Sequence, residues 1–251
     1  MQYTVCTLVT DFDQYECMKS SFIKAGFSEE DCEYLAIDNA ASNSADAYHG
    51  YNHLIDIAKG KFLIFCHQDV LLNYDNRNTL EKRTEDIERN DEHWAVLSNC
   101  GAYDILKYAL RVTEGDGLVR NTNNFPVKVT SVDEHFFLVK ASSMLRFSEV
   151  LSGFHFYGTD ICLAALVKGF SSYAIDFHLT HKGTGTVDKT FYEGRDNLIK
   201  HYSSLLPNLG WIQTTCARLY ISGSHFRNRL YNSNFLSYCV KKYYKIKWSL
   251  S

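Results

Sequence analysis

The sequence holds only two prolines in 251 residues and has no low-complexity stretch or internal repeat. Disordered linkers and repeat arrays are therefore not expected. No apolar run approaches the ~20 residues that span a bilayer as a helix. The opening "MQYTVCTLVTDFD" has neither a basic n-region nor a cleavable apolar run, so no secretory signal is read there. Eight cysteines, at positions 6, 17, 32, 66, 100, 162, 216 and 239, include no C-x-x-C pair. That spacing argues against a structural zinc site. Thiols scattered through apolar stretches fit a reduced core, and a cytoplasmic protein is expected. Acidic residues are missing altogether after Asp196, where eight basic ones remain: Lys200, Arg218, Arg227, Arg229, Lys241, Lys242, Lys245 and Lys247. The net charge is −3, so the residues up to Asp196 carry 18 basic against 29 acidic side chains, a net −11. An acidic body with a basic, aromatic C-terminal segment needs explaining.

What is present is ample apolar material. Hydrophobic residues make up 45% and aromatics 14%, enough to bury one domain or one domain with an appendage. "YTVCTLV" (3–9) reads as a buried strand, and residues 13–26 as a helix with Tyr15, Met18, Phe22 and Ile23 at helical spacing and Gly26 as its stop. "CEYLAID" (32–38) is a second strand. "NAASNSADA" leads into a second helix with Ser44 as candidate N-cap, Tyr48, Tyr51, Ile55 and Ala58 on one side, and Gly60 at its end. "FLIFC" (62–66) is a third strand. This β-α-β-α-β alternation predicts an α/β fold with parallel strands. Further on, a charged helix is expected over 76–91, strands over 94–100, "VKVTSV" and "HFFLVK", and a polar Gly- and Asn-rich loop over 113–126. The loop is long enough to be functional. A turn then enters a helix within 154–170, with Thr159 as candidate N-cap. A strand at 171–176, a glycine-containing loop with His178 and His181, a helix near 188–205 and a helical C-terminal segment in two pieces complete the reading.

Ligands of such sheets bind beyond the carboxyl ends of the strands. Asp11, Asp38, Asn39, His67 and Asp69 all fall there. Each alone is explained by ordinary turn chemistry. As a set in one α/β half they suggest a site that could neutralise phosphates through a divalent metal. The strand ending "FCHQD" is the sharpest case, because His-Gln-Asp suits the rim of a site better than a surface turn. Asp160, in the first turn of its helix, either complements the helix dipole or acts as a general base. A lone loop histidine is commonly a surface residue, but His181 is also a plausible partner for Asp69 on a metal.

The stretch "SNSADAYHGYNHLIDIAKGKFLIFCHQDV" resembles the amino-terminal half of bacterial family 2 glycosyltransferases of the GT-A fold. Asn52, Ala58 and Gly60 match that family's helix–strand unit in register, and His67 and Asp69 stand at the ends of its Asp-x-Asp motif in an HQDV variant. "YGTDICLAALVKGFSSYAID" resembles the segment bearing the family's catalytic carboxylate, and "LTHKGTG" the loop bearing a metal-binding histidine. The likeness covers roughly residues 1–205. Leu54, His67 and the single acid of "GTD" depart from the family pattern.

The resemblance implies an α/β GT-A (nucleotide-diphospho-sugar transferase) fold with a mixed, mainly parallel sheet flanked by helices. The domain spans 1–205, with a nucleotide-sugar-binding half (1–100) and an acceptor and catalytic half (101–205). A basic aromatic helical appendage follows at 206–251. Donor contacts fall on Asp38, Asn39, Asn52, His67, Gln68 and Asp69, metal ligation on Asp69 and His181 with Mn2+ or Mg2+, and base catalysis on Asp160. The implied activity is inverting transfer of a sugar from a nucleotide sugar to a glycan or lipid-linked saccharide in surface or capsular polysaccharide synthesis. A basic amphipathic segment suits peripheral contact with the inner face of an anionic membrane, or is simply solvated. No nucleic-acid-binding module accompanies it, and no nucleic-acid partner is expected. A GT-A protein that binds sugar nucleotide without turnover, and a metal-dependent hydrolase using His67, Asp69 and His181, stand as alternatives.

Overall fold

The computed structural model describes all residues except 184, 186 and 251. Strand β1 (Tyr3–Val9), helix α1 (Phe12–Lys24), β2 (Cys32–Asp38), α2 (Ala47–Ile57) and β3 (Phe62–Cys66) follow the alternation read from the sequence. Asp11 caps α1, accepting from the Gln14 amide at 3.0 Å, and Gly26 ends the turn with φ +99°. The cap of α2 is Asp46, which accepts from the His49 amide, and not Ser44. The Ser44 hydroxyl instead donates to the Asp38 carbonyl and to Asn39, closing the loop before the helix.

The chain continues as β4 (Val70–Leu71), α3 (Arg77–Asn90), β5 (Trp94–Ser98), β6 (Cys100–Asp104), β7 (Lys107–Glu114), β8 (Val119–Asn121), β9 (Val127–Lys128), β10 (Ser131–Val132) and β11 (Phe136–Lys140). It ends with α4 (Tyr157–Val167), β12 (Ser171–Ala174), β13 (Leu179–His181), α5 (Lys189–Leu205), β14 (Gly210–Gln213), β15 (Arg218–Ile221), α6 (His225–Tyr231) and α7 (Asn234–Ser249).

The central sheet runs β2-β1-β3-β11-β5-β12-β9. β1 is parallel to β2 and β3, β11 is antiparallel to both β3 and β5, and β12 is parallel to β5. The parallel half carries the βαβ units, and the antiparallel return of β11 makes the sheet mixed. A second sheet, β10-β6-β7-β13-β4, lies alongside. Helices cover both faces. Along β3, Leu63 and Phe65 join one core with Tyr51, Phe137 and Phe147, while Ile64 and Cys66 join the opposite core with Met18 and Phe22. This period-2 division is why the strand reads as a continuous apolar run.

Four local expectations are corrected. Thr159 is not a cap: Phe156 precedes α4 in the left-handed region (φ +66°), and the Thr159 hydroxyl bonds Ser131. The 113–126 stretch is not all loop, because β8 pairs with β7 there. The His178–His181 stretch contains β13, held between β7 and β4. The C-terminal segment opens as a β-hairpin before its two helices. Alternating Ile212, Leu219 and Ile221 are buried in the same core as Phe65, so a strand pair suits them better than a helix. Among the described residues, no helix is long and apolar enough to cross a membrane.

Candidate functional site

Two registers build the site. Phe136 pairs with Cys66, so the next residues along, His135 and His67, are adjacent, and the His67 amide donates to the His135 carbonyl at 3.0 Å. His181 pairs with Val70, and the Lys182 amide donates to the Asp69 carbonyl at 3.2 Å. The polar residues that end β3 thereby meet the end of β13. His67, Asp69 and His181 each present one ligand atom, all within 4.8 Å of one another. His181 Nε2 lies 3.5 Å from both His67 Nδ1 and Asp69 Oδ1.

The donor set fits a divalent metal. Asp69 Oδ1 is buried and makes no hydrogen bond, a costly state for a carboxylate unless a cation completes it. The Tyr157 hydroxyl donates to the Glu134 carbonyl at 3.1 Å and so accepts from His67 Nε2 at 2.6 Å. That leaves the Nδ1 lone pair of His67 facing the cluster, a ligand tautomer set by an outer partner. Burial, reinforced by His181, pushes the His67 ring down to about 4, so it is neutral near pH 7. Burial alone would raise Asp69, but His181 and then His67 beside it hold its carboxyl down at about 2. Gly183 leaves room for the group, because a Cβ there would collide with the Asp69 carboxylate and lie 3.3 Å from His181 Nε2. Two imidazoles and a carboxylate suit Mn2+ better than Mg2+, which prefers oxygen alone.

Around this cluster the other expected residues take different parts. Asp38 ends β2 with an exposed carboxylate that accepts from the Ala40 amide through one oxygen. Gln68 ties β3 to the end of β1: its Oε1 accepts from the Thr10 and Asp11 amides at 2.7 and 3.0 Å, and its Nε2 donates to Thr10 Oγ1. Gln68 therefore fixes the end of β1 against the end of β3. Asn39 and Asn52, expected at the donor, are buried and bonded to backbone. Asn39 is buried and spends its amide on Ala45 and Ser44 within the β2–α2 loop. Asn52 is buried and exchanges two hydrogen bonds with the Phe147 backbone, tying α2 to the segment before α4. His178 stacks on Tyr74 and bonds Thr113, away from the cluster.

Asp160 is corrected as well. It is 0% exposed, and both carboxylate oxygens are engaged. Oδ2 accepts from the Ser148 amide at 2.9 Å; Oδ1 accepts from the Ser148 hydroxyl at 2.6 Å and the Tyr202 hydroxyl at 2.8 Å. A carboxylate sealed in this way clamps α4, α5 and the 148 loop together.

The run Asp133-Glu134-His135, before β11, supplies what the sequence reading missed. His135 stacks on His181 with ring centroids 4.8 Å apart, and its Nδ1 is 2.7 Å from Asp133 Oδ1. Burial would raise Asp133, but the His135 ring outweighs it and holds that carboxyl well below the usual range. Glu134 is half-buried at the N-terminus of α4 and accepts from the Gly158 amide at 3.4 Å. Burial, and then the charge of Asp133, pushes its carboxyl up to about 8. Adjacent acids with opposed ionisation are the pattern expected where protons are moved. The only local sign was an acidic pair followed by histidine between two strands.

No protein-family model matches the chain. The ATP synthase subunits region ORF 6 protein of Fuscovulum blasticum is 32% identical over 213 residues, covering 82% of this chain and 86% of that protein. Among solved structures, S. aureus TarS 1–349 in complex with UDP-GlcNAc aligns with a TM-score of 0.54 at 15% identity, over 83% of this chain and 67% of that one. The mannosyltransferase PcManGT from Pyrobaculum calidifontis, in complex with GDP-Man and Mn2+, aligns with a TM-score of 0.50 at 12% identity, over 81% and 62% of the two chains. At these identities the likeness establishes the fold, which is GT-A-like: a mixed sheet between helices, as the resemblance implied.

Proposed function

This chain belongs to the family of the ATP synthase subunits region ORF 6 protein of Fuscovulum blasticum and has a GT-A-like fold, and from that premise we propose that it is a metal-dependent glycosyltransferase using a nucleotide-sugar donor. The observation that carries the reading is the His67–Asp69–His181 cluster, with its orphaned carboxylate oxygen, at the carboxyl end of β3. Ligands of α/β sheets bind beyond the carboxyl ends of the strands, and a nucleotide would therefore sit at the ends of β1, β2 and β3. Asp38 has an exposed carboxylate there, and Gln68 holds the β1 end in place. His67, Asp69 and His181 would hold Mn2+, whose chemistry in this setting is to offset the charge that develops on a diphosphate leaving group.

Glu134 would take the proton from the acceptor hydroxyl. It is half-buried and accepts from the backbone that opens α4, and its own carbonyl shares Tyr157 with His67. A proton affinity near neutrality suits a general base. Direct attack assisted by one carboxylate inverts the anomeric centre. The acceptor is a glycan or a lipid-linked saccharide of a surface polysaccharide, and the site of action is the cytoplasm or the inner membrane face.

A thermal-shift screen of UDP-, GDP- and dTDP-sugars, with and without Mn2+, tests this. A ligand that binds only the folded chain raises Tm, by the equivalent of about 2.7 kcal/mol at a hundredfold excess over Kd. The reading expects a Mn2+-dependent shift with one nucleotide sugar, absent in Asp69→Ala. A shift with Mn2+ alone and none with any nucleotide would favour a metal-dependent hydrolase instead.

A further inference from the structure

We propose that helix α7 is an interfacial helix that docks on an anionic lipid bilayer through the face it turns away from the domain. The inference does not depend on the transferase reading. α7 spans Asn234–Ser249 and contains no buried residue, although it is rich in aromatic and aliphatic side chains. At 100° per residue it has two apolar stripes. One comprises Leu236, Val240, Tyr244 and Trp248, at i, i+4 spacing, and all four are partly covered by the domain. The side turned away from it carries Phe235, Tyr238, Cys239, Ile246 and Leu250, all exposed. There Phe235 is 74% exposed, Ile246 61% and Leu250 82%.

The first stripe fixes the second. Trp248 Nε1 donates to the Ile105 carbonyl at 2.9 Å, and the Lys107 ammonium sits 3.5 Å from the centroid of the Trp248 rings. Near the other end, the Arg218 guanidinium donates to the Ser237 carbonyl and hydroxyl at 3.1 and 3.2 Å. The helix is therefore held at both ends with its outer stripe outward, and α6 adds exposed Phe226 and Leu230. An apolar patch of this extent on a soluble surface marks an interaction site.

Charge selects the occupant. Lys242 lies within the outer face and Lys245 and Lys241 follow along one border, all three exposed, while Lys247 sits over the Tyr244 and Trp248 rings of the covered stripe. The chain has no acid after Asp196 to neutralise them. Pairing with a second α7 would bring these lysines together without compensation. A surface of anionic headgroups over acyl chains satisfies both the lysines and the stripe. The body, at −11 up to Asp196, would be repelled by the same surface and so stand off it. With a 16-residue helix of roughly 24 Å lying in the plane, contact is peripheral, consistent with a length too short to span.

The test is co-sedimentation of the full chain with phosphatidylcholine vesicles, alone or with about one lipid in four replaced by phosphatidylglycerol. Pelleting is expected only with the anionic vesicles and is expected to weaken with salt. Each lysine neutralised should cost about fivefold in partitioning, so Lys241→Gln, Lys242→Gln and Lys245→Gln together should cost on the order of 100-fold. Phe235→Ser with Ile246→Ser should cost at least about tenfold with Tm unchanged, because both side chains are exposed. Equal binding to neutral vesicles, no binding to anionic ones, or variants that pellet like wild type would overturn the proposal. So would a wild-type dimer that Phe235→Ser with Ile246→Ser converts to monomer without any vesicle binding, which would assign the face to a second copy.

Discussion

Replacing Asp160 by Asn separates a structural clamp from a catalytic base. In the clamp, three donors converge on the carboxylate: the Ser148 amide and hydroxyl and the Tyr202 hydroxyl, at 2.6–2.9 Å. Hydrogen bonds to an ionised acceptor contribute roughly 1 kcal/mol more each than neutral ones, so exchanging three of them costs about 3 kcal/mol. Burial opposes ionisation of Asp160 and raises its carboxyl above the usual range, against the pull of Ser148 and Tyr202. A neutral amide is spared that burial cost, which offsets part of the loss and leaves about 2 kcal/mol. For a chain of this size that lowers Tm by roughly 4–8 °C. Thermal denaturation of both proteins at the same pH measures it, with donor turnover read at a temperature where both are folded. The clamp predicts a lower Tm with turnover reduced no more than about tenfold. An unchanged Tm with turnover abolished would refute the reasoning and return Asp160 to the role of base.

Other perturbations follow from the same geometry. Gly183→Ala should weaken Mn2+ binding, measured by isothermal calorimetry, with the far-UV spectrum unchanged, since its Cβ would press on Asp69; retained affinity would remove Asp69 from the metal site. Phe147→Ala should cost about 3–5 kcal/mol in urea denaturation, because Phe147 contacts Tyr48, Tyr51, Phe65, Phe137 and Tyr157. Glu134→Gln should stabilise the metal-free chain increasingly as pH rises. The Glu134 carboxyl moves from 4.5 up to about 8 on folding, so between those values the folded chain keeps a proton that the unfolded chain has lost, and wild-type stability falls through that window. Glutamine has no such loss. Allowing for solvent around a half-buried group, the gap should grow from nothing at acid pH to roughly 2 kcal/mol above pH 8; a gap that does not change with pH would contradict the raised value.

The parts of the fold legible in the sequence are those set by local period. β1 through β3 and α1 through α3 stand where alternation and 3.6-residue spacing place them, and the polar end of β3 carries Asp69, one of three residues that could hold a metal. What was not legible depends on pairing between distant segments. β13 is three residues long and polar, and it exists because β7 and β4 flank it. Nothing near His135 in sequence shows that the return of β11 sets it against His67. The asparagines show a related ambiguity. Polar residues near strand ends are also what the chain uses to tie loops, and Asn39 and Asn52 are consumed by the Ala45 and Phe147 backbones. Asp160 lies in the first turn of its helix as the sequence suggested, but α5, through Tyr202, seals it.

The most direct measurement is nucleoside diphosphate release from the nucleotide sugar that shifts Tm, assayed with Mn2+ in wild type, Asp69→Ala and Glu134→Gln. Water can serve as acceptor, so no glycan is required. The account predicts release by wild type, loss of both binding and release in Asp69→Ala, and retained donor binding with release lowered at least about 100-fold in Glu134→Gln. Release that proceeds equally in all three proteins, or without Mn2+, would contradict it.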